Sequence, residues 1–156
     1  MRISVGSDHR GYKVKSKVIE LLNQLGHETV DVGTNSDESV DYPDIAKRVG
    51  QQVSDSEVER GILICGTGIG MAITANKYAN VRAATCHDEI TAEMSRRHND
   101  VNVLCLSGDM LGQRSIDQLV QLWITTEFEG GRHERRIDKI SDLEKHAIDE
   151  LSLIHI

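Results

Sequence analysis

The chain is poor in several residue types, and each shortage closes off a class of function. Its 156 residues include one tryptophan, three tyrosines and one phenylalanine. That few aromatics leaves no stacking platform for single-stranded nucleic acid and makes an aliphatic core necessary. Cations are also outnumbered: the formal net charge of −7 argues against a polyanionic partner, while leaving room for a local basic pocket that takes a small anion. Cys65, Cys86 and Cys105 are odd in number and lack any C-x-x-C spacing. Reduced thiols in a cytoplasmic protein are therefore expected, rather than a disulfide frame or a zinc site. The seven histidines show no ligand-like spacing, so neither a metal nor a cofactor is expected. No apolar run approaches membrane-spanning length, and "MRISVGSDHRG" carries no signal-peptide pattern, so no membrane partner is expected. Repeats, low-complexity tracts and linkers are missing too.

What is present reads as one globular domain over residues 1–156, with a terminal helix and tail from about residue 141. Short β-branched runs at Ile3–Gly6, Thr29–Val32, Gly61–Cys65, Arg82–Cys86 and Val101–Leu106 alternate with amphipathic stretches. "YKVKSKVIELLNQLG" places Val14, Val18, Leu21, Leu22 and Leu25 on one helical face and stops at Gly26. "YPDIAKRVGQQV" opens with Pro43 in its first turn. "DEITAEMSRRH" starts at Asp88, a good N-cap, and "RSIDQLVQLWITTEF" carries Ile116, Leu119, Val120, Trp123 and Ile124. Ser141 and Glu144 have capping-box spacing ahead of a last helix. Strand–helix alternation of this kind predicts a parallel sheet covered on both faces, a three-layer α/β/α fold.

In such sheets ligands bind beyond the carboxyl ends of the strands, where two loops stand out: "SDHRG" after the first strand and "CGTGIG" after the third. If those strands are neighbours, Asp8, His9, Cys65 and Thr67 share one crevice. Gly66, Gly68 and Gly70 miss the dinucleotide fingerprint because Met71 stands where its last glycine belongs, and no Gly-Lys pair makes a P-loop. A cysteine phosphatase would need arginine at the position of Met71. What remains is a glycine turn leading into a helix, a pocket for negative charge, with Cys65 beside it either as strand-end packing or as a thiolate base. "GGRHERR" sets Arg132 and Arg136 one helical turn apart, able to grip one phosphate or simply to form a solvated basic face. Asp8 could cap the first helix instead of reacting, and His98 could serve only the dipole at its helix end.

Taken together, "SDHRGYKVK", "VDYPD", "GILICGTGIGMAITANK", "RAATC", "SRRHNDVNVL" and "EFEGGRHERRI" resemble, in order and spacing, the type B ribose-5-phosphate isomerases of the ribose/galactose isomerase family. The resemblance runs from about Ile3 to Ile140. It implies a Rossmann-like, five-stranded parallel sheet with strands one and three adjacent. It further implies aldose–ketose isomerisation of ribose 5-phosphate and ribulose 5-phosphate through a cis-enediolate, with no metal or cofactor. By that resemblance Cys65 moves the proton between C2 and C1, assisted by Thr67, and the N–H groups of Gly66, Thr67, Gly68, Ile69 and Gly70 hold the oxyanion. His98 and Asp8 open the sugar ring. Tyr42 and Asn99 line the pocket, and Arg132, Arg136 and His9 bind the phosphate. Some relatives use a carboxylate at the position of Met71 as base; its apolar character here implies the cysteine subtype.

Helix four runs back from the carboxyl edge of the sheet, which puts His98 at the wrong edge to meet its own Cys65. A homodimer with composite sites is therefore expected, with a tetramer as a further assembly. One departure stands out: "SGDMLG" has Asp109 where most relatives carry a phosphate-binding arginine. Arg10 is expected to restore the missing charge across the interface. Asp109 also keeps a six-carbon sugar phosphate (galactose 6-phosphate or allose 6-phosphate) open as substrate. A non-catalytic phosphosugar-binding protein is the alternative from another class.

Overall fold

The computed structural model describes residues 1–154. The elements run β1 (Arg2–Ser7), α1 (Tyr12–Gln24), β2 (Glu28–Gly33), α2 (Tyr42–Ser54), β3 (Arg60–Cys65), α3 (Ile69–Ala75), β4 (Ala83–Thr85), α4 (Glu89–Asn99), β5 (Val103–Ser107), α5 (Gln113–Thr125) and α6 (Arg132–Ile154). All strand pairs are parallel, in the order β2-β1-β3-β5-β4. Strands one and three are thus neighbours, and the winding reverses between them, which is where parallel α/β sheets bind ligands.

Alternation along each strand divides the core into two apolar layers. Ile62 and Ile64 join Val18, Leu22, Leu119 and Trp123 under α1, α4 and α5. Leu63 and Cys65 join Val49, Met71 and Ala75 under α2 and α3. Strands buried on both faces need continuous apolar runs, and "GILIC" is one. Cys65 ends its strand on the α2/α3 side, at the point where the backbone leaves the sheet.

Two local expectations need correction, and one buried residue was not anticipated. Helix α1 ends at Gln24, and Leu25 turns outward; Gly26 takes φ +86°, the left-handed stop. The fully buried polar member of that helix is Lys15, whose Nζ bonds Asp31 and, at 2.7 Å, Asn35. Spacing alone counts any lysine as solvent-facing; here two side-chain acceptors compensate the burial. The last helix does not begin at Ser141. Gly130 and Gly131, both with positive φ, end the preceding loop, and α6 runs unbroken from Arg132, leaving Ser141 in its interior. Of "LSLIHI", the last two residues lie outside the described part.

Candidate active site

The first-strand loop and the glycine loop meet in an open crevice of about 590 Å³ at the carboxyl edge of the sheet. Asp8, Arg10, Tyr42, Cys65, Gly66, Thr67, Ile69, Gly70 and Asp109 line it. Asp8 does not cap α1, whose N-cap is Gly11 without a side-chain bond. Its carboxylate, only 5% exposed, instead accepts the Arg10 N–H at 2.9 Å, which fixes it at the crevice floor.

Cys65 is equally buried, and its Sγ accepts the N–H of Gly68 at 3.1 Å. That bond requires Gly68 at φ +81°, in the left-handed region glycine enters without penalty. The loop is braced from β5 and from β4. Ser107 Oγ donates to the Gly66 carbonyl at 2.6 Å, and Thr85 Oγ1 donates to that of Gly68 at 3.3 Å. Thr67 is exposed, with Oγ1 accepting the Ile69 N–H at 3.3 Å. Gly68 is the N-cap of α3, where an N–H has no intrahelical acceptor, so this donor is free to meet the thiol. Tyr42 crosses the crevice above Gly70, where an added Cβ would fall 2.5 Å from the ring. Met71 is fully buried in the core, so the side chain at this position faces away from the crevice.

The structure does not bring every candidate to this crevice. His9 turns to the loop before α2, where its Nδ1 accepts the Val40 N–H at 3.3 Å. His98 and Asn99 end α4 at the amino edge of the sheet. The neighbouring Asn102 pairs there with Arg82 and Asn80, just ahead of β4. Asn99 borders a separate cavity with Val81, Val101, Ile140 and Leu143. Arg132 and Arg136 lie exposed on the first turns of α6, with no carboxylate in salt-bridge range among the described residues. They flank His133, a residue sequence reasoning missed, although "GGRH" held the signal. Its ring stacks on His98 with centroids 4.2 Å apart and planes 9° apart.

Arg10 and Asp109 pair with each other at the crevice mouth. Arg10 donates from Nε to Asp109 Oδ2 at 2.7 Å, with its NH2 nitrogen 2.5 Å from the same atom. Within its own chain the arginine therefore neutralises the Asp109 carboxylate. Both are surface side chains on loops that converge over Gly66, a proximity that sequence separation conceals.

Among the described residues one group has metal-ligand chemistry: His98, Glu129 and His133 bring ligand atoms within 4.8 Å of one another. Stacked rings keep their lone pairs in separate, nearly parallel planes, however, and a tetrahedral ion needs them to converge. Arg97 also occupies the carboxylate. The arrangement suits hydrogen bonding better than coordination.

The sequence profile described as Ribose/Galactose Isomerase matches residues 3–140. The chain belongs to that family. It is 41% identical to ribose-5-phosphate isomerase B of Escherichia coli over 144 residues, covering 92% of this chain and 97% of the relative. The fold superposes on ribose-5-phosphate isomerase B of Clostridium thermocellum with a TM-score of 0.92 at 45% identity, over 94% of this chain and 99% of the other. The Mycoplasma genitalium enzyme, solved with bound ribulose 5-phosphate, gives a TM-score of 0.89 at 42% identity, over 92% and 96%. Within the family, then, the crevice at the switch point is the site to be explained. No helix among the described residues is long and apolar enough to cross a membrane.

Proposed function

We propose that this family member interconverts ribose 5-phosphate and ribulose 5-phosphate through a cis-enediolate, with Cys65 as the base. The observation that carries the reading is the buried Cys65 sulfur, held by the Gly68 N–H at the floor of the switch-point crevice. A thiol kept there only for packing would not need a backbone donor aimed at it.

Ring opening comes first. Asp8 takes the proton of the anomeric hydroxyl while His98 gives one to the ring oxygen, and the bond between C1 and the ring oxygen breaks. The Cys65 thiolate then removes the C2 proton. The electron pair forms the C1–C2 double bond, and the former aldehyde oxygen becomes an oxyanion facing the N–H groups from Gly66 to Gly70. The Thr67 hydroxyl passes a proton from O2 to O1, and the thiol returns its proton to C1, giving the ketose.

Charge supports a composite site in a homodimer. The crevice holds Asp8, Asp109 and Arg10, a net −1 from its own chain, with the single cation already paired. A phosphate dianion needs cations from elsewhere, and Arg132 and Arg136, on either side of the His133 that stacks on His98, have no carboxylate partner among the described residues. A two-fold partner supplies them to the opposite crevice. Ile69 and Ile73 on the rim, 53% and 58% exposed, suit burial under that partner. Tyr42 closes the pocket, while His9 stays with Val40 outside it. The three buried, unpaired cysteines fit a reducing, cytoplasmic setting.

The test is turnover of ribose 5-phosphate in the presence of a chelator, for the wild type and Cys65→Ala. Activity that survives chelation and falls at least a thousandfold in the variant upholds the reading; a Cys65→Ala protein with full activity overturns it.

A further inference from the structure

Glu129 lies between α5 and α6 and is tied twice to the last turn of α4. Its N–H donates to the Arg97 carbonyl at 3.1 Å, and its Oε1 accepts from Arg97 Nε at 2.6 Å. Arg97 in turn is steadied by Glu93 at 3.0 Å. The Arg97 hydrogen bond holds the Glu129 carboxyl below the usual carboxylate range, so it carries its charge at neutral pH. The other oxygen, Oε2, stands 3.4 Å from Nε2 of His133 and 3.9 Å from Nε2 of His98.

The two imidazoles are parallel, and His133 is buried, its Nε2 without a hydrogen-bond partner among the described residues. Burial first, then the positive neighbours His98, Arg132 and Arg136, lower the His133 pKa, so it stacks as a neutral ring. A fixed anionic oxygen opposite both Nε2 atoms favours hydrogens on those atoms. At 3.9 Å the contact with His98 is longer than a hydrogen bond, as unliganded catalytic contacts often are, and a small carboxylate rotation closes it.

We propose that Glu129 is the positioning residue for His98, facing Nε2 so that Nδ1 is the atom presented to the sugar ring oxygen. The inference rests on the reading of His98 as the ring-opening acid. In the step itself, the Nδ1 proton passes to the ring oxygen as the C1–oxygen bond breaks, while the Nε2 proton stays opposite Glu129. The imidazolium becomes neutral imidazole and is reprotonated at Nδ1 from solvent. Glu129 takes no proton. His133 fixes the ring plane from below, and Arg97 keeps the carboxylate from swinging away.

The experiment compares wild type with Glu129→Gln in three readouts. In the variant Arg97 holds the amide oxygen, so the NH2 group faces the two Nε2 atoms. Nitrogen-15 NMR should show His98 as the Nε2–H tautomer in the wild type, with that share falling in Glu129→Gln. The kcat for ribose 5-phosphate should fall tenfold or more, with KM changed less than twofold. Solvent-deuterium exchange at C1 of ribulose 5-phosphate should stay within twofold, because this ketose is acyclic and its exchange needs Cys65 but no ring opening. An unchanged tautomer, an unchanged kcat, or exchange that falls in parallel with kcat overturns the proposal. His98→Asn separates the two readings. If it lowers kcat while Glu129→Gln does not, only the positioning role fails; if it leaves kcat intact, the acid role fails and the inference with it.

Discussion

Replacing Gly68 by alanine tests whether the loop geometry, and not merely the presence of a thiol, makes the site. At φ +81° an L-residue brings its Cβ against the following carbonyl, at a cost of about 1–2 kcal/mol. The new methyl would also stand 3.1 Å from the Leu106 carbonyl carbon and oxygen, backbone atoms of β5 that cannot swing aside. Overpacking of that kind adds roughly 1–3 kcal/mol. Against a typical domain stability of roughly 5–15 kcal/mol, the variant still folds. Relief comes from the loop, which shifts the N–H now 3.1 Å from Cys65 Sγ. A hydrogen bond to a charged group contributes about 1.5–3 kcal/mol. Losing it in the proton-transfer step lowers kcat by about ten- to a hundredfold. The assays are the urea midpoint and kcat for ribose 5-phosphate. Gly70→Ala serves as the comparison, since its Cβ meets only the Tyr42 ring, a side chain already 41% exposed and able to move. It should therefore lose less stability and raise KM more than it lowers kcat. A Gly68→Ala protein within about 0.5 kcal/mol of wild type, the ordinary range for a surface substitution, and within twofold in kcat would refute the reasoning.

Two further outcomes follow from charge. Burial lowers the pKa of His133 and of His27, so both are neutral in the fold at a pH where the unfolded chain already binds the proton. The unfolded state then holds more protons, and stability rises with pH across the window from the folded pKa up to about 6.5, the unfolded value. The urea midpoint should therefore drop between pH 7.5 and 5.5, and the drop should shrink in His133→Gln; a flat profile would contradict the assignment. At the crevice mouth, Asp109→Ala frees the Arg10 guanidinium from its carboxylate and should lower KM for the sugar phosphate severalfold, while Arg10→Ala should raise it. Equal KM in wild type and Arg10→Ala would show that Arg10 does not meet the phosphate.

Much of the fold is legible in the sequence because parallel α/β architecture writes its rules locally. Five apolar runs, each followed by an amphipathic stretch, appear as five strands and the helices between them, with ends shifted by a residue or two. Asp88 caps α4 as its residue type predicts, accepting the Thr91 N–H at 2.7 Å. The failures lie where distant chain segments decide the outcome. Lys15 is buried because Asp31 and Asn35 come to meet it, and no helical periodicity contains that information. The Ser141/Glu144 spacing imitates a helix start, yet Glu144 is occupied elsewhere, accepting the Asn80 N–H at 2.9 Å.

The site divides the same way. Asp8, Cys65, Thr67 and the glycines sit within a few residues of two adjacent strand ends, so strand order alone gathers them. His98, Arg132 and Arg136 are legible as chemistry but not as neighbours of Cys65, because α4 must travel back to the start of β5 before the next strand can pair. A βαβ crossover always returns its helix to the amino edge. On the proposed composite-site reading, an acid delivered from the end of α4 reaches the crevice of a second copy related by two-fold symmetry. The charge at the crevice supports that reading independently. With Arg10 already neutralised by Asp109, the own-chain walls carry a net negative charge, and in the proposed dimer the unpaired arginines of α6 are the cations that reverse the sign.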